Sequence, residues 1–559
     1  MTTISRSGPS GLDAQDPLSR CLDALLAAAD AADDLGISSQ VVRDAHAEGV
    51  RRIGFPADVY VLALVGGTGV GKSSLLNALA GSDISRASVR RPTTSHPIAW
   101  VPAADLEALG PLLDWVGVRD VREHEGRSLG PVAILDLPDM DSLELGHRER
   151  VEAILPRVDA VAWVTDPEKY HDAVLADDFL RAWLPRLARQ IVIVNKADRL
   201  AHVDAIRIRN DLEHDLVIAR VDSEVQRVPV VLASAAPAAT DGKTPPPEVA
   251  EVRHWLAEEV TAKAVIRGRV AASSLSHGRD LAAAAGVDPT AASTPYVTSE
   301  ARNAAVDAAA NAVLRAVDMR GLGRQAEAAT RDRARARGTG PVGRLTSLVY
   351  RASGRSSNVA DPDAYLLRWR ERGSLSPAVQ ALRDELGASV RAAGPRVRPI
   401  LATAMEPTEL RGGLERAVDR AIRGLGRLEP PSSRWWPVLG LLQSLATVGI
   451  ALSVAWLVIM ALGGPASGTM TVALLGAVPT PFVTLVAFLL IGYLLARLVG
   501  MHAGWVGQRW ARNVRDRVSS EVRAEIADRG LAPLDAVEGA RSRLALAVAT
   551  LQQACRARA

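Results

Sequence analysis

One uncharged stretch sets the strongest limit on what this chain can fold into. Between Trp435 and Ala496, 62 consecutive residues include no Asp, Glu, Lys, Arg or His. A membrane-spanning helix needs about 20 apolar residues. The stretch therefore holds two spans, 436–462 and 472–496, with GGPASGTMT as the turn between them. The alternative is a helical hairpin buried in a soluble core, but such helices carry a polar face and neither of these segments does.

The charges around this stretch predict its orientation. Arg434 precedes it, the loop inside it is uncharged, and basic residues follow it at Arg497, Arg509, Arg512, Arg515 and Arg517. Lys and Arg are enriched on the cytoplasmic side of membrane spans. We therefore expect a multi-pass protein of the inner (cytoplasmic) membrane, with the lipid bilayer as a partner and both termini in the cytoplasm.

Composition narrows the class of protein further. A chain of 559 residues is expected to form two to four domains. With 66 basic and 63 acidic residues the formal net charge is only +3, so no nucleic-acid partner is expected. Cys21 and Cys555 are too few for a disulfide framework, and reduced thiols in a cytosolic compartment are expected. The N-terminus lacks the apolar core of a secretory signal.

The hydrophobic pattern divides the chain into five predicted segments. They are an N-terminal helical segment, a domain of alternating strands and helices, an Arg- and Ala-rich helical region, the two-span hairpin and a C-terminal amphipathic helix. Their bounds are 1–54, 55–265, 266–434, 435–500 and 501–559. The apolar residues predicted to share one helical face are Leu18, Leu22, Leu25 and Leu26 in the first segment, and Trp510, Val514, Val518, Val522 and Ile526 in the last.

A basic stretch lies within the third segment. Residues 331–355 contain seven arginines and one aspartate. Such a stretch is typical of a face next to an anionic membrane surface. A solvated loop between helices explains it equally well.

The second segment predicts an α/β fold. Short β-branched runs alternate with helical stretches, an order that gives a mostly parallel sheet covered by helices on both faces. The second run follows the first helix closely and is expected to form an antiparallel edge strand. The six predicted strands are 59–65, 97–101, 132–136, 159–165, 190–195 and 228–233.

A phosphate-binding loop follows the first predicted strand. The pattern G-x-x-x-x-G-K-[ST] stands between an apolar strand and an amphipathic helix, the context in which it binds phosphate. Lys72 is expected to contact the β- and γ-phosphates and to support catalysis, and Ser73 to bind Mg²⁺. The predicted nucleotide-binding residues are Gly66, Gly67, Thr68, Gly69, Val70, Gly71, Lys72, Ser73 and Ser74.

The sequence NKAD at the end of the fifth predicted strand indicates guanine as the base. The Asp198 carboxylate can accept hydrogen bonds from N1–H and the 2-amino group of guanine, a pair of donors that adenine lacks. Lys196 is expected to lie along the base, and Asn195 to connect this loop to the phosphate loop. Ser234 and Ala235 form the remaining base loop, with the Ala235 N–H near the guanine oxygen.

These motifs resemble those of the translation-factor-related class of GTPases. GKSSLLNALAG and RPTTSHP are similar to the Era-like and dynamin-like branches, and the resemblance covers about residues 57–240. It implies GTP and GDP with Mg²⁺ as ligands and GTP hydrolysis as the activity. It identifies DLPD as the family's D-x-x-G motif, with Asp136 holding Mg²⁺ through a water and Asp139 replacing the glycine. The hairpin is similar to that of membrane-inserted bacterial dynamin-like GTPases.

Departures from the family pattern predict slow hydrolysis. Asp139 either lies near the γ-phosphate and repels it, or is a turn residue without a nucleotide role. Met140 cannot orient water where relatives have glutamine, and Gly69 replaces an asparagine or serine that aids hydrolysis. Thr94, or Thr93 beside it, is expected to be the first-switch threonine that binds Mg²⁺ and supports catalysis; turn residues before a strand are the alternative.

Two functions fit these predictions. One is dynamin-like, in which a homo- or hetero-dimer forms through the GTPase domains and membrane is remodelled or tethered. The other is a regulatory switch that recruits a cytosolic partner to the membrane. A role beside a transporter or in ribosome assembly is weaker, because no RNA-binding pattern is present.

Overall fold

The structure is a computed structural model, and it describes most of the chain. The described residues are 16–82, 84–85, 96–124, 129–141, 146–170, 174–218, 228–235, 249–258, 260–289, 295–338, 361–393, 395–463, 468–472 and 476–556. By packing, the chain forms two compact units, Met1–Thr294 with Gly539–Ala559, and Pro295–Glu538. The five segments drawn from composition stay predictions.

Seven strands in the described part of the first unit form one sheet at its centre. Its order is β3-β2-β4-β1-β5-β6-β7, and every pair is parallel except β2 with β4. This confirms the predicted mixed, mostly parallel α/β fold. The strands are β1 (Tyr60–Gly66), β2 (Ile98–Pro102), β3 (Asp120–His124), β4 (Val132–Asp136), β5 (Ala160–Thr165), β6 (Arg189–Val194) and β7 (Val230–Leu232).

β2 was predicted to be an antiparallel strand at the edge of the sheet; it is antiparallel, but it does not lie at the edge. β2 is antiparallel to β4, but the additional strand β3 pairs with its other side and is the true edge. The sequence of β3, DVREH, has one apolar residue and no buried position. A strand that buries neither face leaves no hydrophobic pattern, so the sequence did not predict it.

Helices cover the sheet on both faces. Successive residues of β1 enter opposite cores, with Val61, Ala63 and Val65 in one cluster and Leu62 and Leu64 in the other. The helices of the first unit are α1 (Pro17–Asp34), α2 (Gln40–Ile53), α3 (Lys72–Ala80), α4 (Leu106–Val116), α5 (His147–Ile154), α6 (Arg181–Trp183), α7 (His202–Ile218), α8 (Ala250–Ala257) and α9 (Ala262–Ala284). Short 3-10 or π turns occur at Ala103–Asp105, Leu155–Arg157, Val174–Leu180, Leu184–Arg186 and Ala197–Arg199.

The N-terminal helices pack against α9 and are joined to the sheet by a buried ion pair. Leu18, Leu22 and Leu25 of α1 are fully buried, as their spacing predicts, whereas Leu26 is half-buried. The Arg52 guanidinium at the end of α2 donates two hydrogen bonds, of 2.8 and 2.7 Å, to the Asp159 carboxylate. A bidentate pair of this kind fixes α2 in orientation as well as position.

The second unit is helical in the residues that the structure describes, apart from one hairpin of two short strands. The strands are β8 (Thr469–Val472) and β9 (Gly476–Pro479). The helices are α10 (Ser299–Ala316), α11 (Met319–Gly338), α12 (Pro362–Leu367), α13 (Trp369–Arg372), α14 (Ser376–Ala392), α15 (Arg398–Ala404), α16 (Pro407–Gly424), α17 (Trp435–Ala461), α18 (Thr480–Glu525) and, after a π turn at Ile526–Gly530, α19 (Ala532–Arg556), which ends in the first unit.

Among the described residues of this unit, two helices are long and apolar enough to cross a membrane, as judged by length and composition. They are α17 and α18, and only 17% and 6% of their most apolar windows are buried. Two corrections apply to the predicted hairpin. The second apolar helix begins at Thr480, because residues 476–479 form β9 and Pro479 and Pro481 favour a helix start. This helix also continues to Glu525, across the boundary predicted at residue 500.

The predicted apolar stripe of the C-terminal segment lies on α18 and the turn after it. Val514, Val518, Val522 and Ile526 are buried, and Trp510 is half-buried. The first part of the basic stretch 331–355, residues 331–338, forms the last two turns of α11 and is therefore not a loop. Residues 339–355 lie outside the described residues.

Candidate nucleotide-binding site

The loop between β1 and α3 has the backbone form that its glycines predict. β1 ends at Gly66 between β4 and β5, and α3 begins at Lys72. Gly69 and Gly71 have φ angles of +77° and +92°, in the left-handed region that favours glycine. A Cβ at Gly71 would lie 2.4 Å from Asn195 Nδ2, so only glycine fits there.

Lys72 is buried at the base of this loop. Its ammonium donates hydrogen bonds to the carbonyl oxygens of Gly66 and Gly67, at 2.8 and 3.2 Å. It also lies 2.5 Å from Asp139 Oδ1. Asp139 therefore does not point into solvent: its carboxylate neutralises the cation expected to bind phosphate.

Asp136 at the end of β4 contacts two serine hydroxyls. Ser73 Oγ and Ser85 Oγ donate to its Oδ2 atom at 2.6 and 2.8 Å. Asn77 of α3 holds Ser85 by hydrogen bonds to its N–H and its carbonyl oxygen. Complete burial raises the pKa of Asp136, while the Lys72 ammonium and the two hydroxyls act in the opposite direction. Ser85 was not among the predicted residues.

The buried Asp136 suits a cation. Its Oδ1 atom accepts no hydrogen bond from the described residues. A buried carboxylate oxygen without a partner is costly. A Mg²⁺ ion, which prefers oxygen ligands, would satisfy it together with Ser73 Oγ. The residues present therefore fit the magnesium site that the sequence predicts.

A second carboxylate, Asp141, occupies the start of the loop. Its Oδ1 accepts hydrogen bonds from Thr68 N and Thr68 Oγ1 at 2.5 and 2.7 Å. Its Oδ2 lies 2.8 Å from the Lys169 ammonium, which also donates to Thr68 O at 3.0 Å. Burial acts to raise the pKa of Asp141, but the hydrogen bonds from Lys169 and Thr68 outweigh it and the pKa is lowered.

Sequence reasoning missed Asp141 and Lys169, although one signal was available. Lys169 follows β5 by a few residues, at the carboxyl edge of the sheet where α/β proteins bind ligands. Its side chain reaches Thr68, 101 positions earlier. Nothing local in the sequence marks such a contact.

The base loop is tied to the phosphate loop as predicted. Asn195 Nδ2 donates to Val70 O and Gly71 O at 2.9 and 3.3 Å. Its Oδ1 accepts from the Ala235 N–H at 3.0 Å. That N–H is thus used inside the protein, whereas the sequence placed it near the guanine oxygen.

The charged residues of the base loop also have internal partners. The Lys196 ammonium donates to Gly69 O and to Asp166 Oδ2, each at 2.6 Å. Lys196 itself has a φ of +61°. Ser234 Oγ donates to Asp198 Oδ1 at 2.5 Å. Lys196 and Asp198 follow directly after the end of β6, where the sequence places the base.

The remaining predicted residues divide into three groups. Met140 is buried in the core on one face of the sheet, so it offers no group to orient water. Ser74 lies in the first turn of α3. Thr93 and Thr94 lie outside the described residues, and their assignment as switch residues stays a prediction.

Comparisons with known proteins agree with this geometry over part of the chain. Residues 61–196 match the family model described as "50S ribosome-binding GTPase". A GTPase Era from Bordetella petrii is 31% identical over 156 residues, which are 27% of this chain and 42% of that protein. The match thus spans less than half of the relative's length. Together with the sheet topology, it shows that residues 61–196 are similar in sequence and in fold to the core of such GTPases.

Solved structures also resemble the chain at low identity. An Era variant of Aquifex aeolicus bound to GDP·AlF4⁻ has 20% identity and a TM-score of 0.22, covering 32% of this chain and 52% of that one. An oligomerised bacterial dynamin pair, described as a mechanism for the long-range sensing and tethering of membranes, has 11% identity and a TM-score of 0.33, covering 92% of each chain. Likenesses at this level carry no argument about function.

Proposed function

We propose that this chain is a membrane-anchored GTP-binding protein. It hydrolyses GTP slowly and couples its nucleotide state to membrane remodelling or tethering. One arrangement carries the proposal: Asn195 joins the phosphate loop to the base loop, at 2.9 Å from Val70 O, and so sets Lys72 and Asp198 at two ends of one site. A triphosphate and a guanine base are the ligands that these two ends suit.

The residues of the site account for nucleotide binding better than for GTP hydrolysis. Lys72 and the N–H groups of the loop would bind the phosphates, with the α3 N-terminus favouring negative charge. Ser73 and Asp136 would hold Mg²⁺, which neutralises phosphate charge when bound. Met140, which stands where relatives have a glutamine, is buried and has no polar group, so it cannot orient an attacking water. We expect slow turnover for this reason.

Membrane anchoring is supported by the exposed apolar helices. Leu441, Leu445 and Leu452 of α17 are each more than half exposed, as are Leu490 and Leu494 of α18. So much exposed apolar surface on two neighbouring helices is unfavourable in water and suits a bilayer. We place the protein in the inner membrane, with both termini cytoplasmic, because the arginines flank the spans.

The proposed coupling of nucleotide state to the membrane can be tested by measuring GTP turnover at different densities of the protein in the membrane. The full chain is reconstituted into liposomes at several protein-to-lipid ratios, and GTP turnover per molecule is measured. Pairing through the GTPase domains predicts that turnover per molecule rises with density. Turnover independent of density favours the alternative, a regulatory switch that recruits a cytosolic partner. Lys72→Ala, which removes the phosphate contact, supplies the background rate.

A further inference from the structure

An anionic side chain of the protein itself, Asp141, lies against the start of the phosphate loop. The Asp141 carboxylate accepts hydrogen bonds from the backbone N–H and the hydroxyl of Thr68, and the Lys169 ammonium lies 2.8 Å from it. The Asp141 side chain is only 14% exposed. It lies close against the loop, since a Cβ at Gly67 would be 2.7 Å from its Oδ2.

The donors around this carboxylate are those that bind phosphate elsewhere. A loop N–H, a hydroxyl and an ammonium together provide two hydrogen bonds and one positive charge to an anionic oxygen. A carboxylate satisfies them with charge −1. A terminal phosphate group would offer more oxygens and more charge to the same donors.

The position of these donors along the loop indicates which phosphate they face. The later part of the loop, Gly69 to Gly71, is hydrogen-bonded to the base-loop residues Lys196 and Asn195. Thr68 lies at the earlier part, beside Asp141. The base loop and the Thr68 donors thus contact different parts of the phosphate loop. In a bound nucleoside triphosphate the group farthest from the base is the γ-phosphate.

We propose that Thr68 and Lys169 form a subsite for the terminal phosphate, and that Asp141 occupies this subsite as an internal competitor until a triphosphate displaces it. This inference rests on the proposed function and names a new binding residue and a new competitor within that site. GDP has no γ-phosphate to place there, so it binds without moving Asp141. The subsite therefore discriminates triphosphate from diphosphate.

Two variants of the full chain test the proposal in opposite directions. Asp141→Asn removes the competing charge and keeps the side chain's shape, whereas Lys169→Met removes the cation and keeps its stem. The probes are a non-hydrolysable GTP analogue, GDP and inorganic tripolyphosphate, with dissociation constants measured by calorimetry. Matched controls are Asp178→Asn and Lys263→Met, which lie outside the site. Asp178 is exposed and pairs with Arg148, and Lys263 is exposed on α9.

We expect Asp141→Asn to tighten the analogue and tripolyphosphate about tenfold, and Lys169→Met to weaken both about tenfold, a factor worth about 1.4 kcal/mol. GDP affinity stays near that of the wild type in each variant. Equal changes for GDP and the analogue, or no change in either variant, would overturn the proposal. A thermal unfolding midpoint like that of the controls confirms that each variant is folded.

The probes also separate this proposal from the broader function. If the wild type binds adenine nucleotides as well as guanine nucleotides, or neither, the proposed GTP-binding function fails. Tripolyphosphate carries no base, so its response to the two variants still decides whether the Thr68 and Lys169 subsite exists.

Discussion

The Asp139 carboxylate lies 2.5 Å from the Lys72 ammonium, at the position where the family resemblance expects a glycine. Lys72 is 5% exposed and Asp139 17%, so water screens the pair poorly. A phosphate that binds Lys72 must therefore compete with a carboxylate of the same protein. We therefore expect nucleotide affinity and the response to the γ-phosphate to depend on how easily this pair separates.

Replacing Asp139 should strengthen nucleotide binding. Asp139→Gly and Asp139→Asn remove the charge that neutralises Lys72, and we expect about tenfold tighter binding of a non-hydrolysable GTP analogue, about 1.4 kcal/mol. The gain for GDP should be smaller, because the family resemblance places the last residue of the D-x-x-G motif near the γ-phosphate. The ratio of the two affinities is the measurement. An unchanged ratio would show that Asp139 acts only on Lys72 and not on the γ-phosphate.

Removing Lys72 should abolish nucleotide binding. Lys72→Ala eliminates the only lysine that contacts both the loop carbonyls and Asp139 among the described residues. Membrane insertion should be unaffected, because the apolar helices belong to a different segment. Fluorescent GTP binding and carbonate extraction of membranes are the two measurements, with Lys263→Ala as the control. Wild-type GTP affinity in Lys72→Ala contradicts the assignment of the phosphate loop.

Changing Asp198 should alter base preference. Asp198→Asn replaces a double acceptor by a side chain with a donor, which suits the extra oxygen of xanthine. We expect weaker GTP binding and stronger binding of xanthosine triphosphate. Competition of each nucleotide against a labelled GTP analogue measures both. If ATP competes as well as GTP in the wild type, the guanine assignment is incorrect.

Breaking the buried pair between Arg52 and Asp159 should destabilise the first unit. Arg52→Met leaves the Asp159 carboxylate buried with only the Val61 N–H as a donor in the described structure. Removing one partner of a buried pair typically costs about 3–5 kcal/mol. Urea unfolding of the full chain in detergent measures it. The exposed pair of Arg148 with Glu152 is the control, and Arg148→Met should cost no more than about 1 kcal/mol.

The two cysteines should cross-link on oxidation. Cys21 Sγ and Cys555 Sγ are 3.2 Å apart, although 534 positions separate them, and they are not joined in a disulfide. Hydrogen peroxide should oxidise the two thiols to one intramolecular disulfide and be reduced to two waters. Intact mass under non-reducing conditions then falls by two hydrogens. Cys555→Ser keeps only one thiol and is the control that should not lose this mass, whereas an unchanged mass of the oxidised wild type would contradict the contact between α1 and the end of α19.

The local motifs were readable from the sequence because each is made by neighbouring residues. A strand, a glycine-rich loop and a helix follow one another at 60–80, and this order alone predicts the loop whose positive φ angles the structure shows at Gly69 and Gly71. The same holds for the strand before Asn195 and for the 62 uncharged residues, which include all of α17 and the first part of α18. In each case the physical signal is local hydrophobicity or local backbone freedom.

Only the tertiary structure decided which charges meet in the site. Asp139 contacts Lys72, and Asp141 contacts Thr68 and Lys169, across 67, 73 and 28 positions of the chain. These pairs form because parallel strands bring their carboxyl ends to one edge of the sheet, and no periodicity in the sequence records that convergence. The edge strand β3 was missed for a related reason, since it is held by backbone pairing to β2 and buries almost nothing of its own.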